Sequence, residues 1–170
     1  MDLKSKIREV PNFPKEGILF YDITTLLMEP PAFREVIRRL ADPFVDKKID
    51  KVVAIESRGF IFGAPLAERL HAGLIPVRKP GKLPSEKIEQ KYNLEYGSDS
   101  LAIHRDAISP GERVLIVDDL LATGGTMETT VNLVRQLQGE IEGLAFVVEL
   151  LGLKGRERLN GIPITTLIVY

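Results

Sequence analysis

The segment Val114-Leu115-Ile116-Val117-Asp118-Asp119-Leu120-Leu121-Ala122-Thr123-Gly124-Gly125-Thr126 constrains this chain more than any other. The apolar run Val114 to Val117 follows the turn signal Pro110-Gly111 and reads as a buried strand. Met127, Val131, Val134 and Leu137 then recur at helical spacing, which places a helix start near Thr126. Strand, small-residue loop and helix in that order form the repeating unit of a parallel α/β sheet. Glycine lets backbone N–H groups approach a ligand closely, and a helix N-terminus adds unpaired donors and a positive dipole end. The loop therefore suits a phosphate monoester. The two carboxylates before it suit a vicinal diol, because an ionised carboxylate accepts two hydrogen bonds at once.

The same alternation runs through much of the chain. Lys51 to Ile55 reads as a strand ending at Glu56, with a helix expected around Phe62 to Leu70 and a further strand from Leu74 to Val77. Leu101 to Ile103, Leu144 to Leu151 and Thr165 to Val169 are strand candidates. Phe33, Val36, Ile37, Leu40, Phe44 and Val45 share one helical face. The pattern predicts an α/β fold, an open and mainly parallel sheet with helices on both faces. Ligands in such sheets sit outside the carboxyl ends of the strands, where the 122–126 loop lies.

Residues 1–31 differ from the core expected over 32–170. Pro11, Pro14, Gly17, Pro30 and Pro31 punctuate short apolar pieces there, among them Ile18 to Tyr21. Residues 79–98 carry glycine, proline and charge with little periodicity, which predicts a long mobile loop.

Bulk properties exclude several classes. A chain of 170 residues suits one domain with at most a small appendage. Lys plus Arg number 23 against 24 for Asp plus Glu, so no global field favours nucleic acid and any anion site must be local. No cysteine is present, which rules out thiolate chemistry and disulfides. No apolar run approaches the roughly 20 residues of a membrane span, and Met1-Asp2-Leu3-Lys4 lacks a signal-peptide core, so a cytoplasmic protein is expected. Neither a Gly-x-x-x-x-Gly-Lys-Ser/Thr nor a Gly-x-Gly-x-x-Gly motif occurs.

Two other polar stretches follow predicted strands. Glu56-Ser57-Arg58-Gly59-Phe60 reads equally as a solvated turn or as an anion-holding loop. Arg78-Lys79-Pro80-Gly81-Lys82-Leu83-Pro84 reads as a solvated basic face or as a cationic wall, and its place at a strand's carboxyl end favours the second. His71 and His104 have no partner at metal-ligand spacing and belong to the structural background.

The strand, Asp-Asp and Ala-Thr-Gly-Gly-Thr together resemble the phosphoribosyl-pyrophosphate (PRPP) motif of type I phosphoribosyltransferases. The basic turn is similar to the Arg-Lys-x-Gly-Lys-Leu-Pro segment of the adenine phosphoribosyltransferases, and Tyr92-Asn93-Leu94-Glu95-Tyr96-Gly97 resembles their Leu-Glu-Tyr-Gly flexible-loop sequence. Asn12-Phe13-Pro14-Lys15-Glu16-Gly17 through Ile23 looks like their small N-terminal hood. The resemblance covers nearly the whole chain, to Leu167.

That resemblance implies transfer of a phosphoribosyl group from PRPP to adenine, giving AMP and pyrophosphate. Carried over residue by residue, Ala122, Thr123, Gly124, Gly125 and Thr126 would hold the 5′-phosphate, and Asp118 and Asp119 the ribose hydroxyls. Glu56, Ser57, Arg58, Arg78, Lys79 and Lys82 would surround pyrophosphate, with the Glu56–Ser57 peptide often cis in the family. Leu19, Phe20 and Tyr21 would pack on the base. Many relatives carry Arg or Lys where this chain has Tyr21, which bears on base preference if that contact uses the side chain. Glu95, Arg58 and Lys79 would be catalytic, Glu95 as acid–base group. Magnesium would arrive on PRPP without a protein cage, near Asp118 and Asp119 at most, and no organic cofactor is implied. A homodimer is implied; a nucleic-acid or membrane partner is not. Leu153 to Leu159 resembles the family's C-terminal segment and reads as a surface helix without chemistry. A relative acting on another 6-substituted purine and a non-catalytic PRPP-sensing regulator are the alternatives.

Overall fold

The structure, a computed structural model, describes residues 1–94 and 96–170. Its centre is a five-stranded, all-parallel sheet in the order β4-β3-β7-β8-β9. Ahead of it stand an antiparallel ribbon, β1 (Arg8–Pro11) with β2 (Leu19–Asp22), and two helices, α1 (Thr24–Leu27) and α2 (Pro30–Ala41). Strand β3 (Lys51–Ile55) leads into α3 (Gly59–Arg69) and the edge strand β4 (Gly73–Val77). A second antiparallel ribbon, β5 (Lys87–Asn93) and β6 (Ser98–His104), precedes β7 (Arg113–Leu121). Helix α4 (Gly125–Gln136), β8 (Glu140–Glu149) and β9 (Ile164–Val169) complete the chain. No helix among the described residues is long and apolar enough to cross a membrane.

The period-2 alternation of the central strands sorts their side chains into two cores. Val52, Ala54, Leu115, Val117, Ala145 and Val147 face α2 and α3. Val53, Ile55, Val114, Ile116, Leu144 and Phe146 face α4 and the β5–β6 ribbon. Burial on both faces is what a continuous Val/Ile/Leu strand requires, and it confirms the α/β architecture. Close packing decides one detail: a Cβ on Gly63 of α3 would lie 2.4 Å from the Ala54 Cβ, so only glycine lets the helix rest on β3.

From β3 the chain winds outward to β4, then returns to the other side of β3 and continues through β7, β8 and β9. The turns after β3 and β7 thus diverge, to α3 on one face and α4 on the other. A crevice opens between them at the carboxyl edge, the place where open sheets of this kind bind ligands.

Three expectations are corrected. Residues 79–98 are not one irregular loop: β5 pairs with β6 from Lys87↔His104 to Asn93↔Ser98. Their signal was hidden because Ile88, Gln90 and Tyr92 are only half-buried and charges fill the alternate positions. Strand β7 runs four residues beyond Val117, because β8 continues the ladder to Leu121↔Glu149, so Asp118 and Asp119 sit in a strand and not a loop. The helix expected over 153–159 is replaced by two 3₁₀ turns, Leu151–Leu153 and Gly155–Leu159, broken by Lys154 at φ 55°.

Candidate active site

Three sequence-distant stretches meet in the crevice. The turn 56–58 leaves β3, the loop 122–124 leaves β7, and the basic turn 78–82 leaves β4. Because β3 lies between β4 and β7, all three open side by side.

The loop after β7 is built as the sequence indicates, with Gly124 as the residue preceding α4 at φ 86° and Gly125 as the first helical residue. A left-handed φ is open to glycine without penalty. A Cβ on Gly124 would also lie 2.6 Å from the Gly155 carbonyl oxygen. Residues 120 to 126 line a pocket of about 200 Å³ with Arg58, Asp118 and Asp119 at its rim. The backbone N–H groups of the first helical turn have no partner within the helix and are available to an anion.

Asp119 is 6% exposed, and its Oδ2 accepts the Arg58 Nε–H at 2.5 Å. Asp118 packs against the start of α3, where a Cβ on Gly59 would stand 3.0 Å from its Oδ1, and that oxygen accepts the Asp119 backbone N–H at 2.9 Å. Burial, and then the neighbouring Asp119 charge, push the Asp118 carboxyl well above the usual range. For Arg58, burial works against the charge, but the hydrogen bond and charge of Asp119 outweigh it and the guanidinium is held above its ordinary value.

The basic turn is organised by one carboxylate. Glu56 accepts from Arg78 Nε and from the Lys79 backbone N–H, each at 3.1 Å, and from Lys82 Nζ. Burial raises its pKa, yet the bonds from Lys82 and the Lys79 backbone, with the nearby charges, bring it below the carboxylate range. Glu56 thus sets the spacing of the cations. Lys79 reaches the β5–β6 ribbon, where Asp99 and, at 3.2 Å, the Tyr92 hydroxyl accept from its Nζ. A pocket of about 230 Å³ lies between Ser57, Arg58, Lys79, Tyr92 and the two aspartates. The Glu56–Ser57 peptide is cis.

Over the crevice the β1–β2 ribbon covers a slot of about 160 Å³, with Leu19, Phe20 and Tyr21 on one side and Arg58, Asp119 and Val148 on the other. The Phe20 ring meets Phe13 edge-on at 5.0 Å. The Tyr21 ring stacks on Tyr170, centroids 3.9 Å apart and planes at 28°. Arg58 lines this slot, the phosphate-loop pocket and the basic pocket alike.

The structure therefore brings together every site residue named from the sequence except Glu95, which lies outside the described residues. Asp99, Tyr92, Gly155 and Tyr170 were given no site role from the sequence. Each acts across a long stretch of chain, and no local pattern marks them. Among the described residues no cluster of three or more His, Asp or Glu side chains is arranged to hold a metal ion. His104 Nε2 accepts the Ser85 backbone N–H at 3.3 Å, a packing role.

Comparison with known proteins agrees with this geometry. The family model described as "Phosphoribosyl transferase domain" matches residues 23–161. The adenine phosphoribosyltransferase of Acidobacterium capsulatum is 61% identical over 168 residues, covering 99% of this chain and 93% of the relative. The crystal structure of the Rhodothermus marinus adenine phosphoribosyltransferase superposes with a TM-score of 0.94 at 52% identity, over 99% of this chain and 96% of that one. The Saccharomyces cerevisiae adenine phosphoribosyltransferase, complexed with an imino-altritol bisphosphate and adenine, gives a TM-score of 0.92 at 45% identity, over 98% and 96%. With the family model matched over most of its length and such relatives matched nearly end to end, the chain belongs to the phosphoribosyl transferase domain family, among its adenine phosphoribosyltransferases.

Proposed function

We propose that this protein joins adenine to the phosphoribosyl group of PRPP, releasing pyrophosphate and forming AMP. The observation that carries this reading is the position of Arg58 on three adjoining pockets, one walled by a phosphate-type loop, one by cations and one by an aromatic ribbon. A 5′-phosphate in the first, pyrophosphate in the second and a purine in the third leave the ribose beside Asp118 and Asp119.

In this reaction the bond from ribose C1 to pyrophosphate breaks while a ring nitrogen of adenine bonds to the same carbon. Positive character grows on the sugar and negative charge on the leaving group. Arg58, Lys79 and Lys82 face that negative charge. One cation about 4 Å away contributes about 4 kcal/mol at an effective dielectric near 20, roughly a thousandfold in rate. The carboxylates of Asp118 and Asp119 accept from the ribose hydroxyls and orient the ring. Leu19, Phe20 and Tyr21 exclude water from the base. Asp118 and Asp119 offer oxygen acceptors to the water shell of a magnesium ion arriving on PRPP, which would supply neutralisation of phosphate charge. Glu95 is assigned the proton on the imidazole side of the base, by resemblance alone. A cytoplasmic homodimer is the working form that the family resemblance implies.

Product analysis tests the reading. Incubation with PRPP, magnesium and each of adenine, hypoxanthine, guanine and xanthine is expected to yield AMP selectively. Preferential formation of another nucleotide would transfer the assignment to that base. No turnover together with retarded DNA or RNA would make the protein a PRPP-sensing regulator. Glu95→Gln is expected to lower kcat far more than it weakens adenine binding.

A further inference from the structure

Behind the phosphate loop stands a feature with no part in the reaction described so far. Glu149, the last residue of β8, is 3% exposed. Its carboxylate accepts from Arg156 Nε at 2.6 Å and Nη2 at 2.8 Å, a two-pronged ion pair, and from the Thr166 hydroxyl at 2.9 Å. The hydrogen bonds from Arg156 hold the carboxyl below the usual range, so the pair is fully ionised near neutrality.

Arg156 follows directly on Gly155, and Gly155 presses on the loop. A Cβ there would lie 2.5 Å from the Ala122 carbonyl oxygen and 2.7 Å from Leu121 Cδ1. From the other side, the Gly155 carbonyl leaves no room for a Cβ on Gly124. The two backbones therefore touch without an intervening side chain at the residues whose N–H groups line the pocket. The Leu150 N–H donates to the Leu121 carbonyl at 3.0 Å and ties the same segment to the end of β7.

We propose that Glu149 and Arg156 form a positioning pair for the phosphate loop. By fixing Arg156 they fix Gly155 as the outer wall of Ala122 to Gly124, and so set the direction of the loop N–H groups. This inference rests on the reading of that loop as the 5′-phosphate holder. Loop donors left to themselves spend much of their time off axis, and a misaligned charge-assisted hydrogen bond forfeits about a tenfold in affinity. The basic pocket stands on different turns and is not braced by this pair.

The test compares two anions on the full-length chain by calorimetry: ribose 5-phosphate for the loop and inorganic pyrophosphate for the basic pocket. The variants are Gly155→Ala, Arg156→Lys, and the double change Glu149→Leu with Arg156→Met, which removes both charges together, so that the buried Glu149 position is not left with an unpaired carboxylate while Arg156, half-exposed, keeps an unbranched side chain. Each variant is expected to bind ribose 5-phosphate about tenfold more weakly, with a smaller loss for Arg156→Lys. Pyrophosphate affinity and the KM for adenine should stay within about twofold. Wild-type ribose 5-phosphate affinity in the variants overturns the proposal. Equal weakening of both anions also overturns it, since that marks a general loss of structure. Amide NMR of the parent separates the two levels: if the Thr123 to Thr126 N–H signals stay unmoved when ribose 5-phosphate is added, the phosphate-loop reading itself fails.

Discussion

The Arg58 guanidinium donates from Nε to Asp119 Oδ2 at 2.5 Å, so the chief cation of the site is already neutralised by the carboxylate assigned to the ribose. The other cations are held likewise: Arg78 and Lys82 by Glu56, Lys79 by Asp99. The cations of the crevice stand in ion pairs, which a bound polyanion must exchange. On the proposed reading, Asp119 competes with pyrophosphate for Arg58 as well as meeting the ribose. Asp119→Ala is expected to weaken AMP binding by about 1.5–3 kcal/mol, a factor of roughly 10 to 150, through the lost charge-assisted bonds. Pyrophosphate affinity should be unchanged or higher. Titration of both ligands into the variant checks this, and parallel losses would mean that Asp119 only supports Arg58.

Gly124 and Gly152 offer a contrast in what a methyl group costs. At Gly124 an alanine meets both a left-handed φ of 86° and the Gly155 oxygen at 2.6 Å, while at Gly152 nothing stands within 4 Å. The backbone penalty alone is about 1–2 kcal/mol, which in a domain of this size lowers the melting temperature by about 2–8 °C. Gly124→Ala is therefore expected to melt at least that much lower and to raise the KM for PRPP. Gly152→Ala should match the parent in both. Thermal denaturation and initial rates measure the difference.

The parts legible in the sequence are those whose signal is local. Buried strands such as Val114 to Val117 announce themselves by uninterrupted apolar residues, and the Gly124-Gly125 loop by composition at the seam of two periodicities. The resemblance then gave roles to Arg58, Lys79 and the hood. What stayed hidden depends on chain segments far apart. Asp99 holds Lys79 from 20 residues away, and Tyr170 meets Tyr21 across nearly the whole chain. Helix α3 was expected from Phe62 but begins at Gly59, where a Cβ would stand 3.0 Å from Asp118 Oδ1, a contact that sequence spacing does not encode.

The hood has its own acid-sensitive fastening. Asp22 Oδ1 accepts from the Thr24 hydroxyl at 2.6 Å and its backbone N–H at 2.9 Å, and Oδ2 accepts from Arg8. Those bonds, the Thr24 hydroxyl foremost, lower its pKa from 3.8 to about 2. A carboxylate held below its unfolded value binds fewer protons when folded. It therefore stabilises the hood fully above pH 3.8, and this contribution is lost as the pH falls towards about 2. Thr24→Val is expected to move the Asp22 titration upward, and Arg8→Ala to move it less. Carbon-detected NMR of the Asp22 carboxyl gives the answer; a larger shift from Arg8→Ala would make the ion pair the principal cause.

Tyr21, the one departure noted from the resemblance, has its ring occupied by Tyr170, which in turn lies under Lys4 Nζ at 4.2 Å from the ring centroid. A side chain committed to that stack leaves the backbone of the ribbon to meet the base, so the departure at Tyr21 need not alter base preference. The stack instead sets how firmly the ribbon lies over the slot. Aromatic pairs contribute about 0.5–1.5 kcal/mol beyond their buried area, equivalent to roughly two- to tenfold in an equilibrium. Tyr170→Ala is accordingly expected to raise the KM for adenine by that factor while the KM for PRPP and the preference for adenine over hypoxanthine hold. Tyr170→Phe, which keeps the ring, should restore the parent value. A change of base preference in either variant would show that the Tyr21 side chain reads the purine directly.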